Sequence, residues 1–302
     1  MRYIFTVVFL LTFLSGWGQQ YVDLVKLGYY NTPVNQFDSL TNGTRIQEYN
    51  MDLLLPVVLN DKYTLLLGGY AEGIQAKTDP LQTGLTSVYS TLLKAGVQIK
   101  HSDKWTGTYI FLPKIASDFN GPLGSNDFQF GGFVRLKRKL SERKNYSFGL
   151  YANSELFGPF FVPLIGFYYT SPDRKFETNI TFPLYMDANY ELTPWMKGGA
   201  RFVALVRSYH LHNQNYNPNG EYLTKATNEI NAYLSFALTK SVVLETLVGY
   251  SIGRNYRIYD IQDRMTWGLS AFRFGDDRDQ LNTDFRDGML LNFKLIYRFH
   301  IE

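Results

Sequence analysis

Gly288-Met-Leu-Leu-Asn-Phe-Lys-Leu-Ile-Tyr-Arg-Phe-His-Ile-Glu302 is the stretch whose reading decides the fold. Its odd positions, Met289, Leu291, Phe293, Leu295, Tyr297, Phe299 and Ile301, are all apolar or aromatic. Its even positions carry Asn292, Lys294, Arg298 and His300, with Leu290 and Ile296 as apolar exceptions. Side chains of a strand alternate between faces with a period of two, so the segment has one oily face and one largely charged face. A strand of a soluble sandwich alternates too. An aromatic-rich strand of this kind near the end of a chain also suits an outer-membrane β-barrel, which is oily outside, wet inside and leaves no edge unpaired.

The composition sharpens that choice. Aromatic residues make up 17% of the 302-residue chain, with 23 Tyr and 23 Phe. Tyr and Trp suit places where one end of a side chain is apolar and the other wet, as at a membrane interface. Mean hydropathy is slightly negative, which argues against a helical membrane protein. The formal charge of +3 is too small to imply a nucleic-acid partner.

Residues 1–18 read as a cleaved signal peptide: Arg2, an apolar run from Tyr3 to Leu14, then the small-x-small Gly16-Trp17-Gly18. The run is too short for a spanning helix, which needs ~20 apolar residues. The chain has no Cys, which excludes lipoprotein anchoring, disulfides and thiolate metal sites. An exported, Cys-free, aromatic-rich chain points to the outer membrane of a Gram-negative bacterium. Residues 19–302 are then the barrel, with outer-membrane lipid as its surroundings.

Alternation recurs along the chain. Within 45–59, Tyr49, Met51, Leu53, Leu55 and Val57 oppose Glu48, Asn50 and Asp52. Segments 89–99, 128–140 and 229–238 repeat the pattern. Six short turns share similar chemistry: 60–62, 102–104, 141–145, 171–174, 193–194 and 239–241. Five are followed closely by an aromatic: Tyr63, Trp105, Tyr146, Phe176 and Trp195. The connections between them, 77–87, 118–127, 156–159, 210–221 and 261–283, are mostly longer. Short turns at one end and long loops at the other match a transmembrane, antiparallel, up-and-down β-barrel with short periplasmic turns.

With 21–30 as the first strand, six short turns imply 14 strands and both termini in the periplasm. Segment 176–192 keeps one unbroken phase, as a single long strand would. A single strand leaves an odd count and sends the C-terminus outside, so a tight hairpin is expected at Phe182-Pro183-Leu184. Pro183 fits poorly inside a paired strand. The two strands so formed are short, which leaves 12 or 16 strands as alternatives.

Several motifs carry a family resemblance: Trp17-Gly-Gln-Gln20, Val22-Asp-Leu-Val-Lys-Leu-Gly-Tyr-Tyr30, Asn179-Ile-Thr-Phe-Pro183 and Tyr190-Glu-Leu-Thr-Pro-Trp195. Together they resemble a Bacteroidota outer-membrane barrel family catalogued as domain of unknown function 6268. The resemblance covers nearly the whole mature chain and implies an outer-membrane barrel. It carries over no functional residues and no substrate. The chain departs from the general outer-membrane pattern by ending His300-Ile301-Glu302 after Phe299.

Candidate chemistry is sparse. His210-x-His212 sets two imidazoles on one strand face, but the neighbouring sequence offers no third metal ligand, so no metal or other cofactor is assigned. Ser208 beside His210 is the nearest approach to a lipid-hydrolysing triad, and nothing completes it, so no catalytic residue is assigned. Asp276-Asp277-Arg278-Asp279 with Asn282 and Asp284 is oxygen-rich but lacks EF-hand spacing and reads as a solvated loop.

Parity turns Lys94, Arg135, Lys137, Lys197, Arg201, Glu229, Glu245 and Lys294 toward the lumen. Strands 128–140 and 195–209 are basic with no carboxylate on the same face. Acids on neighbouring strands give a salt-bridged interior, and an excess of bases gives a pore with a slight preference for anions. The leading functional reading is a porin-like or channel-like barrel that passes or binds small solutes. Its rival is a structural barrel with a plugged lumen and partner-binding outer loops, with a lipid-modifying enzyme third. The oligomeric state stays open.

Overall fold

The alternation of the last strand is repeated around a closed antiparallel wall of fourteen strands. The computed structural model describes residues 21–300 except 38–42, 82–83 and 213–215. The expected signal peptide, 1–18, lies outside the described residues. The first seven wall strands are β1 (Tyr21–Asn31), β2 (Gln47–Val58), β3 (Tyr63–Ala76), β4 (Thr86–Lys100), β5 (Trp105–Ser117), β6 (Phe128–Ser141) and β7 (Lys144–Glu155). The rest are β8 (Gly158–Thr170), β9 (Phe176–Phe182), β10 (Tyr185–Thr193), β11 (Met196–Leu211), β12 (Glu221–Ala237), β13 (Val242–Asp260) and β14 (Gly288–His300). Each strand pairs with the next, and β14 closes on β1 with Leu27 opposite Leu295. The ring of strands is therefore closed on itself, as a sheet in lipid requires.

Five of the six short turns are built by side chains that replace backbone partners. Asn60 Oδ1 accepts hydrogen bonds from the amides of Lys62 (2.9 Å) and Tyr63 (3.0 Å). Ser102 Oγ accepts from Trp105 N at 3.1 Å, and Thr239 Oγ1 from Val242 N at 3.0 Å. The hairpin expected around Pro183 is present. Thr181 pairs with Tyr185, leaving Phe182-Pro183-Leu184 as the tip, and this fixes the strand number at fourteen.

Outward-facing side chains form an apolar belt. Leu93, Phe111, Phe130, Phe148, Ile165 and Phe293 are exposed on it, and no exposed apolar patch of that extent is normal on a soluble monomer. Tyr63, Trp105, Tyr146, Trp195 and Tyr297 ring the short-turn end. Tyr29, Tyr49, Tyr89 and Tyr250 sit toward the other end, with Tyr29 and Tyr49 rings 5.0 Å apart. Two aromatic girdles flanking an oily band mark the outer face of a membrane barrel. Among the described residues, no helix is long and apolar enough to cross a membrane.

Candidate solute passage

The charged residues read from the sequence fall into distinct places. Lys197, Arg201, Glu245 and Lys294 line one polar cavity of about 170 Å³. There Arg201 donates to Asp187 (Nε, 2.8 Å) and to Glu245 (Nη1, 2.8 Å), so one planar guanidinium bridges carboxylates from β10 and β13. Lys197 stands 3.8 Å from Glu177 of β9. Lys94 lines a second, larger cavity and is paired with Asp52 of β2. Arg135, Lys137 and Glu229 line neither of these two cavities. Acids on β9, β10 and β13 thus pair with Lys197 and Arg201 of β11. On β6, Arg135 keeps its Nε without a hydrogen-bond partner among the described residues.

The long strands β11, β12 and β13 do something alternation does not reveal. Their upper ends leave the wall and cross the mouth of the barrel. β13 pairs with β14 only as far as Ser251, and Gly253 then takes φ +65°, a left-handed value that favours glycine. β12 has a bulge between Ala226 and Asn228 at the same level. Beyond these breaks, His210 of β11 forms a parallel bridge to Ser117 of β5, six strands away around the ring. Tyr209 donates to Glu72 of β3 at 2.7 Å, and Lys225 pairs with Glu48 of β2 at 2.6 Å. An apolar core fills the space beneath, with Tyr30, Ile74 and Val88 of the wall against Tyr209, Leu223, Tyr256 and Ile258 of the crossing strands. The mouth at the long-loop end is packed.

The crossing strands leave a gap in the wall. β8 pairs with β9 only from Ile165 to Thr170, and β11 pairs with β10 only up to Val203. The last bond on that side runs from Ala204 N to the Leu184 carbonyl at 2.9 Å. Above the Pro183–Leu184 tip lies a cavity of about 1080 Å³. Its lining includes inward-facing Tyr70, Lys94 and Lys114 as well as outward-facing Ile165, Phe182 and Phe202. It therefore runs through the wall from lumen to outer surface. Phe157, Phe160, Leu184, Met265 and Phe272 make much of the lining apolar. A short hairpin in the loop after β13, Trp267–Leu269 and Phe272–Phe274, lies along β8 and borders the gap.

The remaining sequence candidates separate clearly. Ser208 is fully buried, with its hydroxyl donating to Glu155 at 2.6 Å and accepting from Leu156 N at 2.8 Å. In the acidic loop Arg278 bonds Asp276 at 2.6 Å and holds its carboxyl below the usual range, and Asp284 pairs with Arg257 of β13 at 2.8 Å.

The His pair gains a ligand that the local sequence could not show. Asp127, in the short 3₁₀ turn Ser125–Asp127, receives His210 Nδ1 at 2.9 Å and lies 3.8 Å from His212 Nε2. Burial works to raise Asp127, but hydrogen bonds from the Gly124 amide, Ser117 and His210 bring its carboxyl below the usual range. Burial works to lower His212, and Asp118, the Pro122 carbonyl and Asp127 outweigh it, so its pKa is raised.

Fold and site together define a fourteen-stranded barrel with a packed mouth and a side opening. Residues 29–268 match the family model described as Domain of unknown function (DUF6268), and the chain belongs to that family. The matched span includes the Asn179–Pro183 and Tyr190–Trp195 motifs. No curated protein matches the chain. Among solved structures, it is similar to the COG4313 outer membrane channel from Pseudomonas putida F1, at 10% identity over 91% of this chain and 93% of that one, TM-score 0.48. It is also similar to the NanC porin, at 8% identity over 90% and 98% of the two chains, TM-score 0.36. The TodX monoaromatic hydrocarbon channel is similar at 11% identity over 92% and 90%, TM-score 0.37.

Proposed function

We propose that this protein is an outer-membrane barrel that passes small, largely apolar solutes into its lumen through the side opening above Pro183 and Leu184. One observation carries the reading: a single cavity touches both inward-facing and outward-facing wall residues while the axial mouth is packed. A solute dissolved in the outer leaflet or held at its surface meets Phe182, Phe202 and Ile165 first. It then moves past Leu184 toward Lys94 and Lys114. The lining favours apolar or amphiphilic molecules, because stripping water from a polar solute against such a surface is costly. In this reading Lys94, Arg135, Lys137 and Lys294 give the lumen beyond the opening its basic character, with Glu229 and Glu245 balancing them.

The test is uptake of an apolar fluorescent dye by proteoliposomes holding the refolded chain, together with planar-bilayer conductance. Ala204 and Ala226 line the passage. Ala204→Trp should fill it and slow dye entry several-fold while folding is retained. Ion conductance should be small in both proteins. Large, stepwise ion conductance unchanged by Ala204→Trp means an open axial pore and overturns the reading. The packed mouth also supports a second reading, a structural barrel whose outer loops bind a partner. Absence of dye entry in the unmodified protein would favour that alternative.

A further inference from the structure

We propose that Asp127, His210 and His212 bind a divalent first-row transition ion of the zinc class where the crossing end of β11 meets the rim of β5 and β6. The site does not depend on what the barrel transports. His210 and His212 stand two apart on β11 and just past it, so both imidazoles leave the same face, with ring centroids 4.5 Å apart. Asp127 comes from a turn before β6, 83 residues earlier in the chain. Its carboxylate is fully buried, while the two imidazoles stay partly open to solvent, which gives an ion a way in.

The donor atoms all lie within 4.8 Å of one another. Zinc holds imidazole nitrogen and carboxylate oxygen at about 2.0–2.2 Å, which sets ligand atoms of one tetrahedral ion roughly 3.3 Å apart. His210 Nδ1 lies 2.9 Å from Asp127 Oδ1 and His212 Nε2 3.8 Å from Asp127 Oδ2, on either side of that spacing, so the two carboxylate oxygens face the two imidazoles. Small side-chain adjustments bring both separations to that spacing.

The surroundings of His212 are those of a metal-binding histidine. Its Nδ1 meets Asp118 Oδ1 at 2.9 Å and Ser117 Oγ at 3.2 Å. A carboxylate on the ring nitrogen away from the ion fixes tautomer and orientation and raises ligand basicity. Nε2, turned toward Asp127, contacts the Pro122 carbonyl at 3.0 Å and gives up that contact on ligation. With both imidazoles neutral, as ligation requires, Asp118 and Asp127 carry two negative charges, which a divalent cation cancels. Imidazole donors select transition ions over calcium and magnesium. A bound ion would fasten the crossing strand to the rim at a second point beside the Asp118–His210 backbone bond of 3.0 Å.

The chain is well suited to a test, because it has no Cys and only two other histidines, His101 and His300. Refolded full-length protein in detergent is titrated with zinc chloride by calorimetry, and cobalt is followed by its visible spectrum. One zinc per chain is expected, with a tetrahedral cobalt spectrum. His210→Ala should abolish binding, Asp118→Asn should weaken it by about 10–100-fold, and His101→Ala should leave it unchanged. Heat-modifiable gel mobility scores folding for each variant. His212→Gln, which keeps a hydrogen-bonding group for Asp118, serves as a second probe if His210→Ala folds poorly. Zinc binding that survives both His210→Ala and His212→Gln, binding lost with His101→Ala, or a preference for calcium would each overturn the assignment, as would the absence of stoichiometric binding.

Discussion

The phenol of Tyr209 donates to Glu72 at 2.7 Å, although their strands, β11 and β3, stand six apart in a ring of fourteen. Glu72 also accepts from Ser90 at 2.8 Å and Tyr70 at 3.1 Å and pairs with Arg207. A single buried carboxylate thus gathers donors from both sides of the barrel and ties the crossing strands down.

Removing one donor and removing the hub should differ sharply. Tyr209→Phe leaves Glu72 with its other partners and should cost about 1.5–3 kcal/mol, the value of a hydrogen bond to a charged group. Glu72→Ala leaves the partly buried Arg207 cation and the buried Tyr209 phenol without their acceptor and should cost more, up to about 3–5 kcal/mol. Denaturant unfolding in micelles gives both numbers, and equal costs would mean that Glu72 is not the hub.

Gly253 is where β13 turns inward. An added Cβ there meets only Asn228 Nδ2, at 3.7 Å, so crowding is no obstacle. The cost of Gly253→Ala is therefore the left-handed backbone itself, about 1–2 kcal/mol. Gly253→Asn should recover part of it, since Asn tolerates that region better. The same unfolding assay reads the difference, and an Asn variant no better than Ala would place the bend elsewhere.

The two faces of the wall should answer differently to charge. Leu93 is 58% exposed on the outer belt, whereas Asn50 faces inward beside Gly28. Leu93→Arg near mid-membrane should cost ~2–4 kcal/mol and lower the folded yield in lipid, and Asn50→Arg should be tolerated. Equal loss of yield in the two variants contradicts the inside–outside assignment.

Sidedness can be read on cells, since any introduced thiol is the only one. Asn217 and Asp277 lie in long loops, and Asp103 lies in a short turn. A membrane-impermeant thiol reagent should label Cys at Asn217 and Asp277 on intact cells and spare Cys at Asp103. Labelling of Asp103→Cys alone means the barrel is inverted in the membrane.

The wall was almost wholly legible in the sequence, because alternation and turn chemistry are local. Met289 to Tyr297 gave the faces, and Pro183 gave the hairpin that made the strand count even. The two exceptions on the lumen face of the last strand prove to be informative. Leu290 is fully buried in the mouth core, and Ile296 is 3% exposed inside the barrel. The crossing of the mouth was not legible. By parity Leu223 reads as lumen-facing, like Glu229 and Asn231, and Tyr256 reads as lipid-facing, like Tyr250 and Ile252, so nothing local shows that both are buried in the mouth core. Only the unusual lengths of β12 and β13, 17 and 19 residues, hinted at it. The side opening was hidden for the same reason, being a missing pairing above a hairpin that the sequence showed only as short. Asp127 could not be joined to His210 and His212 from sequence, because contact across 83 residues depends on that crossing.

The low sector of the wall has a consequence for the lipid beside it. β9 and β10 are seven and nine residues long, and their neighbours β8 and β11 have thirteen and sixteen. A leaflet that meets this sector must compress or tilt to match its height, at a cost of fractions of a kcal/mol per Å of mismatch. That elastic strain is confined to one side of the barrel. Two copies that turned their low sectors toward each other would share one deformed patch of lipid instead of keeping two. The bilayer itself then supplies a weak, orientation-dependent attraction, without any direct protein contact.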